Sequence, residues 1–354
     1  MASHSVMESG LRHTGLAEFI RRSAAAERVA VHELARLHGG AVQENWCAEV
    51  EITGGPMHGR HRLVVRTDAP SSIPESHSRL EEFRILRVAH RTGVTVPEPL
   101  WVCADPGILG RPFYVARWIP GYAAGHRLVR APAPGGSADA LVERLGRELA
   151  RIHALSPGAV AELDFLPRPD PAPAPALIAR YRHYLDTLPD AHPALEWGLR
   201  WCETHAPASE EVVLVHRDFR TGNYMVDDSG LTGILDWEFA GWGNPMEDVA
   251  WFCARCWRFG AHGPEREAGG IAPREPFYRA YTEASGRAID AGAVHYWEVM
   301  AHVRWAVIAL HQAQRHVSGV EPSLELALTG RIAGECELEV LLLTEPHTEA
   351  DTHA

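Results

Sequence analysis

The stretch that decides the fold runs Val213-Leu214-Val215-His216-Arg217-Asp218-Phe219-Arg220-Thr221-Gly222-Asn223-Tyr224-Met225-Val226, with Leu231-Thr232-Gly233-Ile234-Leu235-Asp236-Trp237-Glu238 close behind. An apolar strand ends at His216 and leaves Asp218 on the loop beyond it. Asn223 opens a second short strand, the turn Asp228-Ser229-Gly230 reverses the chain, and Asp236 closes a third strand. Such a hairpin predicts Asp218, Asn223 and Asp236 at one rim. Two carboxylates and an amide oxygen, with no cysteine nearby, form a hard-oxygen set suited to Mg2+ rather than zinc. Phosphoryl transfer needs such a set: metal-bridged phosphates, and a carboxylate to orient and deprotonate the attacking hydroxyl.

Composition narrows the chemistry further. The 354 residues are about twice an ordinary domain, which predicts two lobes. All 34 basic residues are arginine, so a P-loop lysine and a Schiff-base lysine are excluded. Phosphate recognition must then use arginine, backbone N–H groups or a metal. The net charge of -12 argues against a general nucleic-acid binder. Six cysteines in a chain this long do not make a disulfide framework, and Cys253 and Cys256 lie among Trp251, Phe252 and Trp257 as a buried helical pair of thiols. The opening residues carry no apolar run, no stretch is long enough to span a membrane, and the cytoplasm is the expected location.

Working back toward the start, residues 16–37 read as a helix. A small, polar loop follows at Gly39–Trp46, then strands at Ala48–Ile52 and Arg62–Thr67 joined by Thr53-Gly54-Gly55-Pro56. An amphipathic helix is expected over Ser78–Thr92, with further strands at Pro99–Cys103 and Phe113–Trp118. Ile119-Pro120-Gly121 marks a hinge. Beyond it the pattern is mainly helical, at Leu141–Leu155, Leu177–Leu188, Ala194–Thr204, Asp248–Arg258, Ala293–His316 and Ser323–Leu343. The expected architecture is α+β with two lobes, a small β-rich one at 1–119 for nucleotide and a larger helical one at 120–354 for catalysis and the acceptor.

The spacing H-x-D-x4-N, with an aspartate thirteen residues after Asn223, is the catalytic-loop pattern of kinases. Val215–Asn223, Leu235–Glu238 and Gly243-Asn244-Pro245-Met246-Glu247-Asp248-Val249-Ala250 together resemble the aminoglycoside phosphotransferase family, the choline-kinase-like, small-molecule branch of the protein-kinase fold. The resemblance implies Asp218 as catalytic base, Asn223 and Asp236 as holders of Mg2+, and Asp248 as a brace behind the loop. It also implies a phosphate clamp in the small lobe, with Arg66 on the third strand paired to Glu82 on the next helix. Arginine replaces the family's lysine there, and Gly39–Trp46 lacks the glycine-rich pattern. Arg217 stands where many members have glycine, and two orientations are open to it: toward the base, or away.

ATP or GTP is the expected phosphate donor and a small-molecule hydroxyl the acceptor. From Glu238 to the end, 17 acidic residues against 9 arginines suit a cationic amine, whereas the run Trp237–Ala250 with the following Trp-Phe-Cys-Ala-Arg-Cys-Trp-Arg-Phe resembles the kinase-like region attached to some acyl-CoA dehydrogenases, which favours a hydroxylated metabolite. Trp242 is a candidate wall of the acceptor pocket. The alternative from another class is a catalytically idle nucleotide-binding regulator, a pseudokinase. The histidines His302, His311 and His316 lack i,i+4 ligand spacing and read as a helix face.

Overall fold

A computed structural model describes residues 2–37, 43–68, 76–131, 136–208 and 211–345. In chain order, helix α1 (Ala2–Ser23) precedes strands β1 (Arg28–Arg36), β2 (Gln43–Thr53) and β3 (Gly59–Asp68). Helix α2 (Arg79–Arg91), β4 (Pro99–Cys103), the one-turn α3 (Pro106–Leu109) and β5 (Phe113–Arg117) follow. Next come α4 (Gly125–Arg130), α5 (Ala138–Ile152), α6 (Pro173–Asp186) and α7 (Pro193–His205). Four short strands, β6 (Val213–Val215), β7 (Tyr224–Asp227), β8 (Gly230–Ile234) and β9 (Gly241–Gly243), lead into α8 (Pro245–Cys253). The last helices are α9 (Arg274–Ser285), α10 (Ala291–Val317), α11 (Leu324–Gly330) and α12 (Ile332–Thr344).

The chain divides into two compact units. The first holds Met1–Tyr122, Tyr224–Asp227 and Leu231–Phe239; the second holds Ala123–Asn223, Asp228–Gly230 and Ala240–Ala354. The first unit is built on a five-stranded antiparallel sheet in the order β1-β2-β3-β5-β4. Alternation along β3 buries Leu63 and Val65 against Phe113 and Val115 of β5 and against Phe19 and Ile20 of α1. Helix α2 starts where its sequence says it should. Ser78 and Glu81 form a capping box, the Ser78 hydroxyl accepting from the Glu81 N–H and the Glu81 carboxylate from the Ser78 N–H, which stabilises the end by about 1 kcal/mol. That start sets Glu82 on the buried face. The β7–β8 hairpin belongs to this unit because Tyr122 pairs with Val226. A Cβ on Gly121 (φ +115°) would lie 2.3 Å from the Val226 carbonyl oxygen, so only glycine serves there.

In the second unit α10 is buried on most of its length and packs against α7, α8, α11 and α12. Strands β6 and β9 pair antiparallel, Val215 opposite Gly241, and deliver the chain to His216 from one side and to α8 from the other. Asn244 caps α8 by accepting from the Met246 N–H at 2.9 Å, with Pro245 in the first turn.

Several expectations change. The helix read over 16–37 ends at Ser23, Ala25 takes a left-handed backbone (φ 50°), and Arg28–Arg36 is a strand. Pairing with β2 outweighs the helix-forming Arg, Glu and Ala content. The Gly39–Trp46 loop lies partly outside the described residues, and β2 already begins at Gln43. The helix read over Asp248–Arg258 starts earlier and stops at Cys253, where Ala254 is extended, and the one read over Ser323–Leu343 is two helices meeting at Arg331. Strand β8 stops at Ile234, two residues short of Asp236. Burial pushes the Cys253 thiol up to about 12 and that of Cys256 well above its ordinary range, so both stay protonated thiols. Among the described residues no helix is long and apolar enough to cross a membrane.

On α10, burial pushes the His302 imidazole down to about 4, opposed by the hydrogen bond from Nδ1 to the Glu298 carbonyl (2.7 Å) and helped by the charges of Arg258 and Arg255. A histidine with a depressed folded pKa costs stability once the unfolded state takes up its proton. The loss therefore begins as pH falls through 6.5 and levels off near 4. Between pH 7 and pH 4 the wild-type protein is expected to lose about 3 kcal/mol more unfolding free energy than His302→Leu, read from urea denaturation at each pH. Parallel pH profiles for the two proteins would remove His302 as the cause.

Candidate active site

The loop after β6 is held from behind by one buried carboxylate. Asp248, fully buried on α8, accepts the backbone N–H of His216 at 2.6 Å through Oδ2 and that of Arg217 at 2.7 Å through Oδ1. The ring of His153 meets Oδ2 at 3.2 Å and the Tyr281 hydroxyl at 2.9 Å. Burial works against this charge, but the His153 hydrogen bond and the nearby His153 and His216 rings outweigh it and keep the Asp248 pKa below its ordinary value. Arg217 sits at φ 63°, a left-handed conformation that turns the chain sharply before Asp218. Its side chain runs away from Asp218, donating to Glu247 Oε1 at 3.1 Å and to the Trp242 carbonyl at 2.9 Å. His216 braces the turn, its Nδ1 accepting the Asp218 N–H at 3.2 Å.

Asp218 itself is only 8% exposed, and every side chain that holds it comes from the second unit. Oδ1 accepts from the Arg220 Nε–H at 3.0 Å and from the Trp251 indole N–H at 3.2 Å; Oδ2 accepts from Asn223 Nδ2 at 2.5 Å. The Arg220 guanidinium lies 4.2 Å above the Trp257 ring. A carboxylate oxygen has two lone pairs, so Oδ1 is saturated and Oδ2 keeps one pair for a further donor. Asn223 spends its N–H groups on the Asp218 carboxylate and carbonyl, which leaves its amide oxygen as a metal-type donor.

A second cluster lies in the first unit. Arg66 on β3 donates Nε–H to Glu82 Oε2 at 3.1 Å and Nη2–H to Asp236 Oδ1 at 2.5 Å, with Glu238 Oε1 at 3.7 Å. Arg79 donates to the same Glu82 oxygen and reaches Asp68 Oδ1 at 2.9 Å, while the Ser76 hydroxyl donates to Glu238. Burial disfavours the Arg66 charge, yet Glu82 and Asp236 outweigh it and hold the guanidinium pKa well above normal. Burial and then the Asp236 charge push the Glu238 carboxyl up to about 7. Four acidic side chains, Asp68, Glu82, Asp236 and Glu238, thus meet two guanidinium groups. Asp236 also carries a left-handed backbone (φ 66°). Among the described residues no three His, Cys, Asp or Glu side chains form a metal cluster.

The second unit holds a buried loop carboxylate and the first a buried arginine–glutamate pair, and the family model "Phosphotransferase enzyme family" matches residues 33–289. The chain belongs to this family. The phosphotransferase shares its fold with an assigned aminoglycoside phosphotransferase from Ralstonia eutropha, at TM-score 0.73 and 20% identity over 93% of this chain and 97% of the other. A spectinomycin phosphotransferase solved with ADP and spectinomycin superposes at TM-score 0.62 and 12% identity, covering 92% and 98%. The fold is therefore the α+β protein-kinase-like phosphotransferase fold. In sequence it is 30% identical over 200 residues to mouse (Mus musculus) acyl-CoA dehydrogenase family member 10, a match covering 54% of this chain but 18% of that protein. The chain spans about a fifth to a quarter of the length of the curated relatives it matches first.

Of the residues singled out in the sequence, Asp218 and Asn223 are hydrogen-bonded to each other in the second unit, and Arg66, Glu82 and Asp236 are joined in the first. Trp242 is buried in β9, where its carbonyl serves Arg217. Arg220, Trp251, Arg79 and Glu238 escaped sequence reasoning as members of these clusters. Arg79 had a local signal, standing one helical turn before Glu82; Trp251, thirty-three residues from Asp218, had none. Replacing Asp248 with asparagine swaps one acceptor oxygen for an N–H2 facing a backbone N–H. The Asp248→Asn protein is expected to lose about 3 kcal/mol of unfolding free energy, measured by urea titration of tryptophan fluorescence. A loss below about 0.5 kcal/mol would show that the carboxylate does not hold the loop.

Proposed function

We propose that the protein catalyses Mg-dependent transfer of the γ-phosphate of ATP, or GTP, to a hydroxyl of a small molecule. The observation that carries this reading is the Asp218 carboxylate, immobilised by three donors yet keeping one lone pair on Oδ2. That oxygen orients the acceptor hydroxyl and takes its proton as the new O–P bond forms and the bond from Pγ to the β,γ-bridging oxygen breaks, releasing the nucleoside diphosphate. Arg220, fixed against Trp257, offers its remaining N–H groups to the oxygens of the transferring phosphoryl group. Arg66, positioned by Glu82, grips phosphate oxygens of the nucleotide in place of a lysine. Asn223 and Asp236 would hold the metal, whose bound charge offsets that of the phosphates. The 1–119 segment serves the nucleotide and 120–354 the acceptor, apart from the β7–β8 hairpin. A spectinomycin phosphotransferase with this fold was solved in complex with ADP and spectinomycin, which supports a nucleotide donor and a small acceptor.

A catalytically idle nucleotide-binding regulator is the second reading. It is favoured by one feature: guanidinium groups engage both acidic residues, Arg220 on Asp218 and Arg66 on Asp236. The two readings separate in one assay, transfer of label from γ-labelled ATP or GTP with Mg2+ into a pool of amines, sugars and hydroxy acids. The wild-type protein is expected to yield a labelled product, and Asp218→Ala to lose roughly 100-fold to 10,000-fold in rate. Asp218→Ala should keep the ATP-induced rise in melting temperature, whereas Asp236→Ala should lose its Mg-dependent part. Normal turnover by Asp218→Ala would refute the base assignment. Nucleotide binding without product across the pool would favour the regulator.

A further inference from the structure

Of the buried polar atoms of the second unit that lack a hydrogen-bond partner among the described residues, three belong to residues that line one cavity. The cavity lies among α6, α8 and α10, is bordered by Tyr181, Glu247, Trp251, Trp297 and Arg304, and has room for about one water-sized sphere, about 10 Å³. The atoms are Glu247 Oε2, Trp297 Nε1 and Arg304 Nη1. Their residues are 6%, 1% and 7% exposed. The other oxygen of Glu247 is engaged by Arg217 at 3.1 Å. Arg304 lies with its guanidinium carbon 4.4 Å over the Trp251 ring. Buried polar groups left unpaired are costly, so three around one space mark a place built for a hydrogen-bonding guest.

The guest's chemistry follows from the three atoms. Two N–H donors and one carboxylate oxygen, on residues lining a space the size of one oxygen, call for two lone pairs and one proton on a single atom. A hydroxyl has them. An ammonium has no lone pair for Trp297 or Arg304, and a carboxylate has no proton for Glu247. The position of the cavity ties it to the reaction, because Trp251 lines it and also donates its indole N–H to Asp218 Oδ1. We propose that the cavity seats a second hydroxyl of the acceptor, so that the preferred substrates are diols, polyols or sugars rather than monohydric alcohols or amino alcohols. This rests on the phosphotransfer reading above, and it makes Glu247, Trp297 and Arg304 specificity-determining residues.

The test pairs turnover with binding. Label transfer from γ-labelled ATP is compared for 1,3-propanediol, 1,4-butanediol and 1,5-pentanediol against the matching 1-alkanols, with 4-amino-1-butanol and 4-hydroxybutanoate as charged counterparts. At one chain length at least, the diol is expected to exceed its alkanol by roughly tenfold in kcat/KM through a lower KM, and Trp297→Phe to shrink that ratio to about twofold. In parallel the same diols are titrated into nucleotide-free, 15N-labelled protein. The indole resonance of Trp297, identified as the one missing in Trp297→Phe, is expected to shift with a diol and not with its alkanol. Thermal melts confirm that the variant is folded. Equal diol and alkanol kinetics with an unmoved resonance, or a preference for the amino alcohol or the hydroxy acid, would overturn the proposal and leave a seat for water only. A resonance that moves with diols while no acceptor is ever labelled would keep the hydroxyl seat and sink the phosphotransfer reading instead.

Discussion

The candidate active site depends on a carboxylate that never touches a substrate. Asp248 is fully buried and accepts two consecutive backbone N–H groups, those of His216 and Arg217. Only an ionised carboxylate offers an acceptor oxygen to each of two adjacent amides, and only a chain turned through the left-handed conformation of Arg217 presents both to it. The bond to His153 and the cap of α8 by Asn244 hold the carboxylate in turn. Asp218 is thereby placed by the packing of α8 rather than by the loop's own preferences.

The absence of lysine gives the rest of the site its character. A guanidinium is planar and carries five N–H donors, so one side chain bridges several carboxylates in fixed directions. Arg66 uses this to join Glu82 and Asp236, and Arg79 uses it to join Asp68 and Glu82. An ammonium in the same place would be a point charge without that directional fork. Burial, with the Asp236 charge added to it, raises the pKa of Glu238 beside these carboxylates. Around Asp218 the cation is again arginine, braced by stacking on an indole, as Arg304 is on Trp251.

Much of this was legible before any coordinates. Helix α2 begins at Ser78 because Ser78 and Glu81 cap it locally; that signal lies within four residues. The sheet strands β2 to β5 carry β-branched and aromatic runs between glycine and proline turns. By contrast Arg28–Arg36 has the composition of a helix and becomes a strand only because β2 lies beside it. The orientation of Arg217 could be stated only as two alternatives, since the choice is made by Glu247 and by the Trp242 carbonyl, each at least twenty-five residues away.

The sequence by itself determined the reaction class, because H-x-D-x4-N and the later aspartate are short-range patterns in which chain order dictates which side chains follow which strand. It also determined that arginine would be the only fixed cation. The tertiary structure decided what surrounds those residues: that Trp251 and Arg220 saturate one oxygen of Asp218 and leave the other open, that Arg66 meets Asp236, and that Glu247, Trp297 and Arg304 line one cavity. Apart from the Arg220 bond, made two residues along the same loop, these are contacts between segments distant along the chain. Their hydrogen-bond geometry depends on packing distances and side-chain directions, which no local pattern of residues encodes.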